Sequence, residues 1–188
     1  VLHGYCNMSK HPMQALAIFG ALTMPPNDTK LTSLFNSRNV KVVRTAVMLL
    51  NIMIESCSDD AASTPQFQDA LTKMLGYLIA LLPHRSIIKE ARDSTISAIV
   101  SNIDRADVGK RFVDLGGVKA LLIVASCARS PLHADDDESS PETGIDVSPE
   151  ARMQVSVALQ KIWEATLSNK PDPKLLKPKK MKREPYER

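Results

Sequence analysis

The sequence predicts an all-α fold in which helices stack side by side as an α-solenoid. Aromatic residues make up only 4% of the 188 residues, and seven glycines are few for an α/β enzyme that needs many tight turns. The apolar residues are mostly Ala, Leu, Ile, Val and Met, a mixture that favours helices over sheets. These residues recur at helical spacing in several long segments, and one segment is apolar on almost every side.

In the first half of the chain, the pattern predicts helices over 12–24, 30–35, 39–57 and 66–82. Pro12 fits the first turn of its helix, and Pro25 and Pro26 end that helix. The segment 39–57 is apolar nearly all round, which only a helix with neighbours on several sides tolerates.

In the second half, helices are predicted over 86–103, 104–115, 118–128 and 148–167. Ser148 and Pro149 are a typical helix start, a capping residue followed by Pro at the first helical position. The intervening segment 130–147 is expected to be a loop, with the acidic run Asp135–Glu138 inside it. We expect one repeat domain over 1–167 and a disordered basic tail over 168–188.

The glycine pair in "GKRFVDLGGVKALLIVAS" raises the question of a phosphate loop. Such a loop needs GxxxxGK followed by Ser or Thr, whereas Lys110 is followed by Arg111 and has no Gly at the required position before it. A helix that ends at Leu115, with a glycine in positive φ as its cap, accounts for the pair more simply. Gly116 and Gly117 are therefore predicted to form the elbow between two packed helices.

Three arginines near the starts of long helices suggest a repeat. Arg44, Arg92 and Arg152 are 48 and 60 residues apart, and the longer interval contains the acidic loop. Without most of that loop the period is roughly 40–47 residues, the length of armadillo and HEAT repeats. The fold expected is thus a right-handed α-α superhelix of armadillo-like repeats, in which each repeat buries its faces against the next.

The charge distribution gives no support for nucleic-acid binding. The net charge is +3, but the tail 168–188 carries +5 and the rest of the chain −2. The tail segment Lys177–Glu184 is similar to a short nuclear-import signal, which leaves a nuclear location open beside the cytoplasmic one. No apolar run approaches the length of a membrane span.

The reactive residue types do not form a catalytic or metal-binding pattern. The four histidines are scattered, and none is paired at ligand spacing on a helix. Cys6, Cys57 and Cys127 are far apart, as in a reduced intracellular protein. No Ser, Thr or Cys lies in a nucleophile motif. Neither enzymatic activity nor a cofactor or metal is expected.

A solenoid binds partners along the helices that line its concave side. The polar residues predicted to form this protein-binding face are Arg44, Asn51, Arg92, Asn102, Arg152 and Lys161. The alternative is that these side chains are simply solvated. Trp163, which lies among apolar residues of the last helix, is expected to pack into the core.

Several segments resemble the central armadillo region of the UCS-type myosin co-chaperones, the Unc-forty-five family. Ser86–Asn102, which includes Ala91, Arg92 and Asp93, is similar to the family's "SxxARDxxIxxIxxN" segment. Phe112–Ser126 and Asp146–Trp163 are similar to two further segments, and the resemblance covers about 39–164.

This resemblance implies a non-catalytic scaffold within a protein that assists myosin folding. In that family, the myosin motor and the ninety-kilodalton heat-shock chaperone are bound by outer domains that are absent from this chain. No myosin-binding residue can therefore be transferred to it. The alternative is a general armadillo adaptor with a nuclear or other protein partner.

Overall fold

The computed structural model describes residues 2–23, 30–57, 64–84, 87–127 and 145–168, and the described chain is all-helical. Its helices are α1 (Leu2–Met8), α2 (Pro12–Thr23), α3 (Lys30–Phe35), α4 (Val40–Cys57), α5 (Pro65–Leu81), α6 (Lys89–Asn102), α7 (Ala106–Asp114), α8 (Gly117–Cys127) and α9 (Pro149–Ser168). The predicted helices are confirmed with shifts of a few residues at their ends. The helix α1 was not predicted, because seven residues are too few to show a helical period.

The helices pack in two rows. In one row α1 contacts α4, α4 contacts α6, and α6 contacts α9. In the other row α2 contacts α5, and α5 contacts α8. The short helix α3 lies against one member of each row, α2 and α4, whereas the short helix α7 lies against α5 and α8 of the second row.

Helix α4 is the centre of the hydrophobic core. It packs against α1, α2, α3, α5 and α6. Nine of its 18 residues are buried, and these are Val43, Ala46, Val47, Leu49, Leu50, Met53, Ile54, Ser56 and Cys57. The prediction that this helix has neighbours on several sides is confirmed.

Helices α4, α6 and α9 run parallel, as the hydrogen bonds between them show. Three hydrogen bonds join the α6 side to the α9 side, and residue numbers increase in the same direction on both. The bonded pairs are Asp93 with Ser148, Ser97 with Gln154, and Asp104 with Lys161. Going from α4 to α6, the side chains of Asn51 and Asn102 are hydrogen-bonded, and Arg105 just beyond α6 donates to the carbonyl of Glu55. The amino-terminal halves of these three helices therefore lie side by side.

The glycine pair forms the predicted elbow. Helix α7 ends at Asp114, Gly116 has φ of 80°, and α8 begins at Gly117. The amide of Gly116 donates to the carbonyl of Val113, which completes the helix end. A Cβ on Gly117 would collide with the ring of Phe112, which is buried. The two glycines have different roles, since Gly116 supplies the left-handed conformation and Gly117 the space for an aromatic ring.

The prediction that Trp163 packs into the core is wrong. Its side chain is 63% exposed, while Val155 on the same helix is buried. The helix α9 buries the stripe that contains Ala151, Val155 and Ala158, and Trp163 lies on a different face. The acidic run Asp135–Glu138 and the tail 169–188 lie outside the described residues, as does most of the predicted loop.

The elbow gives a stability test with an internal control. We expect Gly116→Val and Gly117→Ala each to destabilise the fold by about 1–3 kcal/mol, the first through backbone strain and the second through overpacking against Phe112. Gly76→Ala in the middle of α5, where an added Cβ meets nothing within 4 Å, should instead stabilise by about 0.5–1 kcal/mol.

Denaturant unfolding followed by circular dichroism measures all three variants. Replacing Phe112 by Leu should reduce the penalty of Gly117→Ala but not that of Gly116→Val. Wild-type midpoints for both elbow variants would contradict this account of the elbow.

Candidate protein-binding groove

An open groove of about 930 Å³ runs across α1, α4, α6 and α9. Because α4, α6 and α9 are parallel, the groove crosses residues at similar heights along these three neighbouring helices. Its lining consists of His3, Lys41, Arg44, Thr45, Val47, Met48, Asn51, Glu90, Asp93, Ser94, Ser97, Ala98, Ser101, Ser148, Glu150, Ala151 and Gln154.

Most of the residues in the lining have polar side chains, and the apolar residues Val47, Met48, Ala98 and Ala151 lie among them. Small buried residues, Ala98 and Ala151, form part of the floor, where a larger side chain would fill the groove. Hydroxyl and amide side chains stand above them, among them Ser94, Ser97 and Gln154. Such groups can both donate and accept hydrogen bonds, so the surface suits a ligand that presents polar backbone groups.

Side-chain hydrogen bonds join adjacent helices along the groove. The hydroxyl of Ser97 donates to Oε1 of Gln154 at 2.8 Å, which links α6 to α9. The side-chain amide of Asn102 donates to Oδ1 of Asn51 at 2.7 Å, which links α6 to α4. Asn51 in turn donates to the carboxylate of Glu55 at 2.8 Å. These links fix the register between the helices that form the groove.

The charged residues of the groove are divided by helix. Lys41 and Arg44 lie on α4 and are exposed. Glu90 on α6 and Glu150 on α9 are also exposed. Asp93 is half-buried, and its carboxylate accepts the backbone N–H of Ser148 at 3.1 Å. The groove is thus positive on α4 and negative on α6 and α9.

Four of the six residues predicted for the binding face reach the surface at least in part. Arg44 and Asn51 line the groove. Lys161 is half-buried and forms an ion pair of 2.5 Å with Asp104, which stabilises the end of α6 against α9. Arg152 is half-buried on α9 and is not part of the groove lining.

The structure corrects the predicted placement of Arg92 and Asn102, which are buried. Arg92 is 2% exposed, and its guanidinium donates to three backbone carbonyls: Leu82 at 3.0 Å, His84 at 2.7 Å and Asp146 at 2.7 Å. Burial lowers the pKa of this guanidinium, and the carboxylates of Asp146 and Asp93 oppose that shift. Asn102 is 1% exposed and donates to Asn51 and to the carbonyl of Ala98.

The three arginines taken as repeat markers do not occupy equivalent positions. Arg44 is exposed in the groove and Arg152 is half-buried. Arg92 is buried between the end of α5 and the segment that leads into α9. The side chains of Asn51 and Asn102, by contrast, are hydrogen-bonded to each other across two parallel helices.

The acidic side of the groove and much of its polar lining were not predicted from the sequence. A signal for it exists in α6, where Glu90, Ser94, Ser97 and Ser101 recur at spacings of three and four residues and so share one face. A polar stripe of this kind on a helix that is otherwise packed indicates a solvent-facing groove.

Two cysteine thiols are buried in the part of the chain that the structure describes. Cys6 and Cys57 are 4% and 1% exposed, and burial raises the pKa of both thiols, to about 11 for Cys57. Within the described ranges, no group of three His, Cys, Asp or Glu side chains could hold a metal ion. In the same ranges, no helix is both long enough and apolar enough to cross a membrane.

Comparison with known proteins found no matching family model, no matching curated protein and no matching solved structure.

The raised pKa of Cys57 gives a test of its burial. At pH 8 only roughly a thousandth of this thiol is thiolate in the folded protein, so alkylation by iodoacetamide should be very slow and should accelerate as pH rises toward 11. Folding favours the neutral thiol. Its contribution to the free energy of unfolding is therefore complete below pH 9.0 and is lost as the pH rises through about 11.

Mass spectrometry of the alkylated peptides resolves Cys57 from the other cysteines. The same reaction in denaturant is the control, and there Cys57 should react at the rate of a free cysteine. Rapid alkylation of Cys57 in the folded protein at pH 8 would show that this side chain is not buried as described.

Proposed function

We propose that this chain is a non-catalytic armadillo-type scaffold that binds a segment of another protein in the groove. The observation that supports this most directly is the groove itself, an open surface to which the parallel helices α4, α6 and α9 contribute polar side chains. A binding surface needs no reactive side chain, and the polar lining of this groove offers hydrogen bonds and charges to a polypeptide.

The helix order supports an armadillo-like solenoid. Helices α7, α8 and α9 have 9, 11 and 20 residues, a progression of short, medium and long helices expected for one such repeat. Helices α4, α6 and α9 belong to one row, and α2, α5 and α8 form the other. We propose that this packing repeats as a right-handed superhelix in which the row of α4, α6 and α9 lines the groove.

The resemblance to the UCS-type myosin co-chaperones supports a more specific proposal. The residues Ala91, Arg92 and Asp93, which carry that resemblance, have defined structural roles. Ala91 is buried, Arg92 bonds three carbonyls, and Asp93 accepts the N–H of Ser148. A motif that fixes how α6 and α9 pack is informative about the fold. We therefore propose a cytoplasmic scaffold that serves as the central domain of a myosin-folding co-chaperone.

Blocking the groove tests this proposal. Ser97 is exposed at the middle of the groove, so Ser97→Trp should fill it and weaken the binding of a protein client by about tenfold. Ser97→Ala removes the hydrogen bond to Gln154 but leaves the groove open and the other links between α6 and α9 in place, so binding should be nearly unchanged. Ser33→Trp places the same bulk on exposed α3, outside the groove lining, and is the matched control.

Biolayer interferometry with immobilised full chain measures binding of the myosin motor and of the ninety-kilodalton heat-shock chaperone. Binding that is lost only in Ser97→Trp supports the groove as the contact site. If wild type binds neither protein, direct contact of the groove with these two proteins is overturned. If a client binds wild type and Ser97→Trp equally, the groove is not its contact site.

A further inference from the structure

The division of charge across the groove is only partly explained by helix stability. Acidic side chains stabilise the amino-terminal turn of a helix, and Glu90 and Glu150 lie in the first turns of α6 and α9. Asp93 is explained in the same way, because its carboxylate accepts the N–H of Ser148 next to α9. The acidic half of the groove is therefore consistent with the needs of the fold.

The basic half has no such explanation. Helix α4 has no acidic residue in its first turn and has Lys41 there instead, with Arg44 at the start of the next turn. A cation at this end opposes the helix dipole and destabilises the helix. The end of the helix is already capped, because Oδ1 of Asn39 accepts the N–H of Lys41 at 3.0 Å. Lys41 and Arg44 are exposed, so their charges are available to a ligand.

The parallel packing sets the distance between these charges. Packed helices lie about 8–10 Å apart, and an extended chain advances about 3.3 Å per residue. An extended segment that crosses the groove therefore moves from one helix to the next in roughly three residues. Starting over Lys41 and Arg44 on α4, it reaches Glu90 on α6 and then Glu150 on α9.

The lining favours an extended ligand over a helical one. A bound helix satisfies its own backbone groups and needs an apolar groove. An extended segment presents free N–H and C=O groups, and the groove offers hydroxyl and amide partners between the charges, including Thr45, Ser94, Ser97 and Gln154.

We propose that the groove binds an extended peptide segment with one acidic side chain and two basic side chains, spaced three residues apart in that order. The acidic side chain lies against Lys41 and Arg44, and the basic ones lie against Glu90 and Glu150. The order applies in either chain direction, so the segment is Glu-x-x-Lys-x-x-Lys or its reverse. This inference rests on the proposed function, because it specifies the ligand of the same groove.

Two fluorescein-labelled peptides of equal composition test the charge order. One carries Glu-x-x-Lys-x-x-Lys and the other Lys-x-x-Glu-x-x-Lys, with Ala and Ser at the x positions. Fluorescence anisotropy with the full chain should show about tenfold tighter binding of the first peptide, since the second places like charges together at two positions. The preference should shrink in about 1 M salt, where exposed ion pairs are screened.

A charge reversal in the protein tests which side chains are responsible. In the variant with Lys41→Glu and Arg44→Glu, Glu-x-x-Lys-x-x-Lys should bind about tenfold more weakly, and Lys-x-x-Lys-x-x-Lys should become the preferred peptide. The new acids favour the start of α4, so the fold should be retained. The control variant with Lys30→Glu and Lys110→Glu has the same net charge, and both positions are exposed outside the groove lining.

The outcomes separate this inference from the proposed function. Both proposals are supported if the first peptide binds wild type and the control variant but not the variant with Lys41 and Arg44 reversed. If both peptides bind equally, or if the reversal leaves a Ser97→Trp-sensitive client bound as before, the charge order is overturned and the groove remains. If no peptide and no client binds, both proposals are overturned. If the reversal changes only self-association in sedimentation, the occupant is a second copy and the peptide proposal is overturned.

Discussion

The buried guanidinium of Arg92 is the interaction on which the arrangement of the second half of the molecule depends. It comes from the first turns of α6 and donates to carbonyls at the end of α5, in the following turn and in the segment that leads into α9. A buried cation is unfavourable unless it is fully hydrogen-bonded, and backbone carbonyls that leave water also need partners. The guanidinium and the carbonyls therefore need each other as hydrogen-bond partners. Because one of these carbonyls belongs to Asp146, the start of α9 is held beside α6.

From this anchor the parallel register of the long helices follows. Asp93, next to Arg92 in sequence, accepts the N–H of Ser148 and fixes the first residue before α9. Further along, Ser97 bonds Gln154 and Lys161 pairs with Asp104, so the two helices stay in step to the end of α6. Because Asn51 and Asn102 link α4 to α6 in the same way, matching positions of three helices meet at one surface. The groove and its sequence of charges are consequences of that register.

The residues that sequence reasoning placed correctly are those with local chemical signatures. Gly116 was predicted because only glycine readily adopts positive φ at a helix end, and Ser148 because its hydroxyl, which accepts the N–H of Ala151, is a typical cap. Arg92 was misplaced because helical spacing alone does not distinguish an arginine that is solvated from one that bonds distant carbonyls. The acidic side of the groove was missed for a related reason, since Glu90 and Glu150 belong to one surface only once α6 and α9 are in register.

Hydrogen exchange in the variant Arg92→Lys tests most directly whether this guanidinium positions α9. Lysine keeps the charge but cannot reach three carbonyls at once, so amides at 145–147 and in the first half of α9 should exchange roughly 10–100-fold faster, while amides of α4 keep their protection. Arg111→Lys is the matched control, because Arg111 bonds Thr72 and Gln68 and should affect the contact between α5 and α7 instead. Unchanged protection of α9 in Arg92→Lys, or an equal loss in α4, would contradict the account.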